Sequence, residues 1–240
     1  MEVKLDFCLL TDELLIACKK SDINKIKKLI EAGADVNKPQ KYERLIYVWN
    51  DVFGCELSES AVFSRHPLIT AIKYGNVDVV RILIENGADI NIICDNGWSP
   101  IHFCVLWEMF DIAKILIENG ANINVIDKSG RTPLHHASLH PYPKKMRALI
   151  ELGADVNKAD FAGETPLHYA VGFIKKSSTA VNILIQAGAD VNIVNNAGET
   201  PLSLVKSLEC GGEFYKRKKS IKTKIIQSLT NNGGNYERTN

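Results

Sequence analysis

Short amphipathic segments recur along the chain in pairs. In KKMRALIEL, the apolar residues Met146, Leu149 and Ile150 recur at helical spacing. The segment ends at Gly153, and glycine readily adopts the left-handed conformation that terminates helices. The partner segment begins at Thr132–Pro133, where a hydroxyl can cap free backbone N–H groups and proline is tolerated in the first helical turn. The pattern predicts two short helices joined by a turn.

Two phrases repeat this arrangement with a period near 33 residues. Variants of GADVN begin at positions 33, 87, 120, 153 and 188, so the intervals are 54, 33, 33 and 35 residues. Variants of TPLHHA begin at positions 66, 99, 132, 165 and 200. A period of this length that carries a turn and two helices indicates stacked repeats. Neither helix can bury its apolar face alone, so neighbouring units must share a core.

TPLHHA at residues 132–137 and TPLHYA at residues 165–170 resemble the ankyrin repeat, whose pattern runs T-P-L-H-x-A. The resemblance implies an all-α fold, an ankyrin-repeat solenoid of stacked helix-turn-helix units with hairpin-like turns. We expect a single domain over residues 1–240. Its six repeats would lie at about 10–37, 66–91, 95–124, 128–157, 161–192 and 196–235.

The period is interrupted by two insertions. Residues 38–65 contain KYERLIYVWNDVFGCELSESAVF, which is too aromatic for a solvated linker. This segment is either a hairpin or helix that folds back to extend the core, or an exposed partner-binding element. Residues 211–220 carry KRKK at positions 216–219, ahead of a predicted capping helix. The basic run is either a solvated surface or a nuclear import signal or electrostatic contact.

Composition narrows the class of protein. The chain has 240 residues, is 45% hydrophobic and 24% charged, and has a net charge of +1, which argues against a dedicated nucleic-acid or membrane-surface protein. Acids at Asp6, Asp12 and Glu13 break the N-terminal stretch where a signal peptide would be apolar. Six cysteines without a CxxC pair suit a reducing compartment. We expect a cytoplasmic monomer with no membrane or nucleic-acid partner, or a nuclear protein if KRKK is an import signal.

No catalytic or cofactor-binding motif is recognisable, so we predict neither enzyme activity nor a cofactor. His102, His135 and His168 lie 33 residues apart, each the fourth letter of its phrase. We interpret them as hydrogen-bonding residues that tie neighbouring repeats together. His136 and His140 have the spacing of a metal-binding pair, but Pro141 follows and no third ligand is evident, so we predict no metal site.

In the ankyrin family, partners dock on a concave face lined by the turn tips and the first helices. The resemblance places large side chains on that face, most of them aromatic and not required by the repeat pattern. The candidate partner-binding residues are Tyr74, Trp98, Leu106, Trp107, Arg131, Leu139, His140, Phe161 and Phe173, together with Trp49 in the first insertion. The alternative is that the aromatic residues pack among themselves or beneath the insertion.

Tryptophan, tyrosine and arginine are enriched at binding hot spots. We therefore predict a protein-binding module whose partner the sequence does not identify, acting as an adaptor, an inhibitor, or an effector of an intracellular bacterium or virus. The alternative function is a nuclear regulator whose basic C-terminal segment approaches DNA or a DNA-bound factor.

Four asparagines end the turn phrase in a common frame, as in LIEAGADVN, where leucine stands eight residues before the asparagine and aspartate two before it. In families from animal cells this frame resembles a site of asparaginyl hydroxylation. The candidate modification sites are Asn37, Asn91, Asn157 and Asn192. The structural alternative is that asparagine closes the turn through side-chain hydrogen bonds.

Overall fold

A computed structural model describes residues 7–39, 47–49, 56–58, 66–139, 143–172, 178–207 and 215–234. The chain divides into two compact units, unit 1 with residues 1–122 and unit 2 with residues 123–240. The expectation of a single continuous domain stays a prediction.

In the described part of unit 1, three helix pairs form two layers. The helices are α1 (Phe7–Lys20), α2 (Ile23–Glu31), α3 (Pro67–Lys73), α4 (Val77–Glu85), α5 (Pro100–Trp107) and α6 (Phe110–Glu118). The first helices of the pairs, α1, α3 and α5, pack side by side. The second helices, α2, α4 and α6, pack behind them in the same order.

Unit 2 repeats this arrangement. Its helices are α7 (Pro133–Ser138), α8 (Pro143–Glu151), α9 (Pro166–Gly172), α10 (Thr179–Gln186), α11 (Pro201–Ser207) and α12 (Tyr215–Asn231). Helices α7, α9 and α11 form one layer, and α8, α10 and α12 form the other. Each of the six predicted segments therefore contains two helices, and the prediction of stacked helix-turn-helix units is confirmed.

The last helix begins earlier than the sequence pattern indicated. We expected residues 211–220 to form an insertion, whereas α12 begins at Tyr215 and includes Lys216–Lys219. Lysine and arginine are good helix formers, and no glycine or proline lies between Tyr215 and Asn231. The basic run is therefore the first part of a helix.

The first insertion contributes the two described strands, β1 (Tyr47–Trp49) and β2 (Glu56–Ser58). They pair antiparallel, with Val48 opposite Leu57. The all-α prediction holds for the repeats, and this strand pair is an addition to it. An antiparallel pairing agrees with the hairpin alternative, whereas a partner-binding role for the insertion stays a prediction. The strand side chains lie outside the described residues.

The core of each unit repeats one pattern, in which a large and a small buried residue stand three positions apart on every first helix. Small residues let neighbouring helices approach closely, so each helix can cover the apolar face of the next. Cys104 is fully buried where the other repeats carry alanine or valine, and burial raises the pKa of its thiol. The pairs are Leu14 and Ala17, Leu68 and Ala71, Ile101 and Cys104, Leu134 and Ala137, Leu167 and Ala170, and Leu202 and Val205.

The TPLH phrase both starts a helix and joins two repeats. The backbone N–H of Thr132 donates to Nδ1 of His135 over 3.0 Å, and the Thr132 hydroxyl lies 2.8 Å from the same nitrogen. Because Nδ1 accepts a hydrogen bond, the proton lies on Nε2, which donates to the carbonyl oxygen of Glu164 in the next repeat over 3.0 Å. His168 makes the same contact with Glu199 over 3.1 Å. These bonds confirm the predicted linking role of His135 and His168.

Neighbouring turns in unit 2 also touch directly. The backbone N–H of Phe161 donates to the carbonyl oxygen of Ser129 over 3.2 Å. Gly130 lies beneath Phe161 with a positive φ of 80°, and a Cβ at this position would stand 2.6 Å from the Phe161 nitrogen and 2.7 Å from its ring. Glycine is therefore required at position 130 both by the backbone conformation and by the neighbouring turn.

We predict that Gly130→Ala destabilises the protein more than Gly153→Ala. Both glycines have positive φ, 80° and 92°, but an alanine Cβ at position 153 would meet nothing within 4 Å. The conformational cost of alanine at either site is about 1 to 2 kcal/mol, and the clash with Phe161 should add about 1 to 3 kcal/mol at position 130. Urea unfolding followed by circular dichroism measures both free energies. Equal losses would contradict the close packing of the two turns.

Candidate functional site

The first helices of unit 1 end in large side chains. Tyr74 is the C-cap of α3 and is 45% exposed. Leu106 and Trp107 are the last residues of α5, and both are half-buried. Each helix stops because the next residue or the one after it has a left-handed backbone, at Gly75 with φ 68° and at Glu108 with φ 62°.

Trp98 and Trp107 belong to an aromatic cluster around Phe103, which is 0% exposed. The Trp107 ring stacks on Phe103 with centroids 5.2 Å apart, and the Trp98 ring meets it edge-on at 5.4 Å. Trp98 also stacks against His102 at 5.8 Å. The two tryptophans thus cover a buried phenylalanine and are half-buried themselves. This is the mutual packing that the sequence left as an alternative, and the role of both residues as partner contacts stays a prediction.

In unit 2, Phe161 is the most exposed large apolar residue that the structure describes, at 67%. Its backbone is fixed from both sides, since its N–H donates to Ser129 and its carbonyl oxygen accepts a bond from the Asn196 side-chain amide over 3.0 Å. Leu139, the C-cap of α7, is half-buried. The turn therefore presents an apolar ring to solvent from a fixed backbone.

Arg131 lies at the edge of a buried network that the sequence analysis missed. Its Nε donates to Oδ2 of Asp127 over 3.0 Å, and Nε2 of His136 bonds to the same oxygen over 2.9 Å. The backbone N–H groups of Ser129 and Arg131 donate to Oδ1. The Asp127 side chain is 1% exposed. Part of the guanidinium group of Arg131 is therefore committed to Asp127.

Burial and hydrogen bonding act in opposite directions in this network. Burial by itself raises the pKa of Asp127, but the bond from His136, the two backbone N–H groups and the charge of Arg131 together hold it well below its ordinary value. Burial lowers the pKa of His136, and the bond to Asp127 opposes that shift. Asp127 is therefore a stable carboxylate that orders its turn.

The offset of nine residues between Asp127 and His136 recurs in the next repeat between Asp160 and Tyr169. Because the offset repeats, the sequence could have revealed both pairs. The Tyr169 hydroxyl donates to Oδ2 of Asp160 over 2.7 Å, and burial, then the bond to Asp160, raises the pKa of Tyr169. The backbone N–H groups of Ala162 and Glu164 donate to Oδ1 of Asp160. An aspartate at this position therefore closes the turn from within, as in an Asx turn.

The turn asparagines join neighbouring turns. Asn37 donates to the carbonyl oxygen of Gly87 over 2.9 Å and accepts from the backbone N–H of Asp89 over 2.7 Å. Its own turn is closed by Asp35, whose carboxylate accepts from the Asn37 N–H. Asn157 bridges to Gly188 and Asp190 in the same way, and Asn192 donates to Gly233.

The side chains of Asn37 and Asn157 thus make structural hydrogen bonds, as the alternative to modification held, but to the following repeat and not within their own turn. Asn91 is exposed, and its backbone N–H donates to Asp89. Hydroxylation of the four asparagines stays a prediction.

Three candidate residues have no described side chain. His140 and Phe173 lie outside the described residues, and only the backbone of Trp49, in β1, is described. His136, whose spacing from His140 is that of a metal-binding pair, bonds to Asp127. Within the described ranges, no three His, Cys, Asp or Glu side chains are grouped so that they could hold a metal ion. In the same part of the chain, no helix combines the length and apolar character needed to cross a membrane.

Paired helices in two layers, joined by hydrogen-bonded turns, define a helical repeat protein. A family model for ankyrin repeats, with three copies, matches residues 14–127 and 124–195, together more than half of the chain. The chain therefore belongs to the ankyrin repeat family.

Similarity to known proteins covers part of the chain. Palmitoyltransferase ZDHHC13 of Homo sapiens is 32% identical over 103 residues, covering 38% of this chain and 17% of that protein. An ankyrin repeat protein of Rickettsia bellii is 33% identical over 96 residues, covering 39% of this chain and 40% of that protein. Ankyrin repeat domain-containing protein 37 of Bos taurus is 33% identical over 97 residues, covering 35% of this chain and 61% of that protein. The matched segment spans less than two thirds of each relative.

We predict that the fold loses stability on mild acidification through His135. Burial lowers the pKa of this imidazole from 6.5 to about 4. Between these values the unfolded chain binds a proton that the folded chain does not, so stability falls as the pH falls. The loss for His135 alone is about 2 kcal/mol between about pH 7.5 and pH 5.

Urea unfolding at several pH values measures this loss. His135→Gln is expected to be less stable near neutral pH but to lose about 2 kcal/mol less on acidification. Equal pH dependence in the two proteins would show that His135 is protonated normally in the folded state.

Proposed function

We propose that this chain is a protein-binding module without catalytic activity, serving as an adaptor, an inhibitor, or an effector of an intracellular bacterium or virus. Ankyrin repeats generally mediate protein–protein interaction, and the family is generally non-enzymatic. The binding surfaces would be the ends of the first helices in unit 1 and the turns in unit 2. The partner is a protein whose identity remains to be determined.

The observation that carries this proposal is the exposure of aromatic rings on fixed backbone. Phe161 is 67% exposed although its turn is hydrogen-bonded on both sides, and Tyr74 is 45% exposed at a helix end. Solvent-exposed aromatic rings carry an unfavourable hydration cost that binding removes. Because their backbone is already ordered, a partner that covers them gives up little conformational entropy.

We further propose that the module acts in the cytoplasm as a monomer. Cys18, Cys94 and Cys104 are buried as free thiols, which suits a reducing compartment. Burial raises the pKa of the Cys94 thiol to about 11, so this group is protonated and unreactive near neutral pH.

Capture from cell extract tests the binding function. We predict that Tyr74→Ala or Phe161→Ala reduces recovery of at least one captured protein about tenfold or more, since a hot-spot side chain contributes roughly 2 kcal/mol or more. These variants are better probes than Trp98→Ala or Trp107→Ala, because the tryptophans cover Phe103 and their loss would expose the core. Quantitative mass spectrometry of the captured proteins gives the ratio.

Leu9→Ala provides the matched control, since Leu9 is an apolar side chain that is 62% exposed on α1. All baits must melt at the same temperature by circular dichroism. Equal recovery of every protein by all baits would reject both exposed rings as binding residues.

A second candidate function is supported by α12. Its segment Lys216–Lys224 contains six lysines or arginines, and the helix Tyr215–Asn231 contains no acidic residue. The apolar side of the helix is anchored by Ile225 and Leu229, both 0% exposed. We propose as the alternative that this helix approaches DNA or a DNA-bound factor in the nucleus.

For this alternative, changing Lys216, Arg217, Lys218 and Lys219 to glutamine should abolish nuclear accumulation and the salt-sensitive part of duplex DNA binding. Each lost phosphate contact makes the slope of log affinity against log salt concentration shallower by about one unit. Fluorescence imaging and anisotropy at several salt concentrations measure the two effects. Lys144→Gln with Arg147→Gln on α8 is the control. Cytoplasmic wild-type protein that does not bind DNA would eliminate this function.

A further inference from the structure

In unit 1 the first helices end in alternating lysines and aromatic residues. Lys19 lies at the end of α1, Lys73 and Tyr74 at the end of α3, and Trp107 at the end of α5. Nζ of Lys19 lies 5.9 Å from the centre of the Tyr74 ring, and Nζ of Lys73 lies 6.0 Å from the centre of the Trp107 ring. Each ammonium group thus lies over an aromatic ring of the following repeat, at cation–π distance. These four residues form the lysine–aromatic row.

The row is accessible from solvent. Lys19, Lys73 and Tyr74 are exposed, Trp107 is half-buried, and Lys20 adds a further exposed ammonium group beside Lys19. A lysine at a helix C-terminus is favoured by the helix dipole, which by itself accounts for a basic residue at these positions. The dipole does not account for the aromatic ring beneath each of the two ammonium groups.

The carboxylates nearest to the row in the sequence belong to Asp22, Asp78, Glu108 and Asp111. The Asp22 side chain accepts a hydrogen bond from the backbone N–H of Lys25 at the start of α2. Asp78 and Asp111 lie in the first turns of α4 and α6, where a negative charge complements the helix N-terminus. Glu108, which follows Trp107, is exposed at the end of the row. The groups that lie directly over the two rings are the ammonium groups of Lys19 and Lys73.

This arrangement selects a partner by charge. An apolar side chain that packs on Tyr74 or Trp107 brings its neighbours beside the ammonium groups of Lys19 and Lys73 and removes water from them. A desolvated ammonium group is stabilised by a carboxylate and strongly destabilised by another cation. A segment that places an apolar side chain next to aspartate or glutamate satisfies both the rings and the charges.

We propose that the lysine–aromatic row binds an acidic segment of a partner protein in which aromatic or large aliphatic side chains stand next to aspartate or glutamate. The proposal rests on the protein-binding function proposed above and adds the chemistry of the partner. Binding should weaken with increasing salt, since surface charge pairs contribute to it.

A library of random short peptides, selected on the full chain, tests the proposal without knowledge of the natural partner. Enriched peptides are synthesised with a fluorescent label and titrated by anisotropy against the wild type, Lys19→Gln with Lys73→Gln, and Tyr74→Ala. The matched control is Lys27→Gln with Lys28→Gln, which removes two exposed lysines from α2. Circular dichroism melting verifies that all variants fold.

The expected result is enrichment of peptides that combine acidic and apolar residues. Their affinity should fall about tenfold or more in Lys19→Gln with Lys73→Gln, and should not change in the α2 control. Enrichment of basic or uncharged peptides would overturn the proposal, as would an equal loss of affinity in the control.

Two further outcomes separate this proposal from the function on which it rests. Peptides that depend on Tyr74 but not on the two lysines would refute the acidic partner and leave the protein-binding function standing. If no peptide depends on Tyr74, Lys19 or Lys73, both proposals fail for unit 1. In sedimentation, the apparent mass of the wild type could rise with concentration while that of Lys19→Gln with Lys73→Gln does not. This result would show that a second copy of the chain occupies the row and would overturn the acidic-peptide proposal.

Discussion

In unit 2, neighbouring repeats are joined by the buried histidines of the TPLH phrases. In His135, one ring nitrogen accepts from the start of its own helix and the other donates to Glu164 in the next repeat. Both bonds are made by a neutral imidazole shielded from water, so losing either partner would leave a buried polar atom unsatisfied. The period near 33 residues therefore places each of these histidines against the following repeat. The segments that break the period lie between repeats, at residues 38–65, or between the two helices of a pair, as in the last two pairs.

The turns carry a second system of bonds that makes them rigid. Asp127 and Asp160 close their own turns, Asn37 and Asn157 reach the following turn, and the Phe161 backbone bonds to Ser129. A turn fixed in this way can expose an apolar ring without the entropy loss that a flexible loop would suffer on binding. The hydrogen bonds of the Phe161 backbone therefore hold its exposed ring in place.

Aromatic residues in unit 1 have different structural roles although they occupy related positions. Trp98 and Trp107 shield Phe103, whereas Tyr74 extends into solvent beneath an ammonium group. A change at either tryptophan would therefore alter the core as well as the surface, whereas a change at Tyr74 would alter the surface alone. The lysines also change the surface chemistry, because a cation beside the rings of Tyr74 and Trp107 makes the charge of a partner as important as its apolar contact.

The sequence by itself determined the period, the helix pairs and the hydrogen-bonding role of His135 and His168. These features depend on residue patterns that occur within one repeat and recur in the next, so they can be recognised from the sequence. The tertiary structure alone decided that asparagines bond to the following turn and that the tryptophans cover Phe103. It also decided which lysine lies over which ring. The physical reason is that these contacts join side chains whose separation in space is set by packing, whereas sequence periodicity specifies only which residues share a helix face.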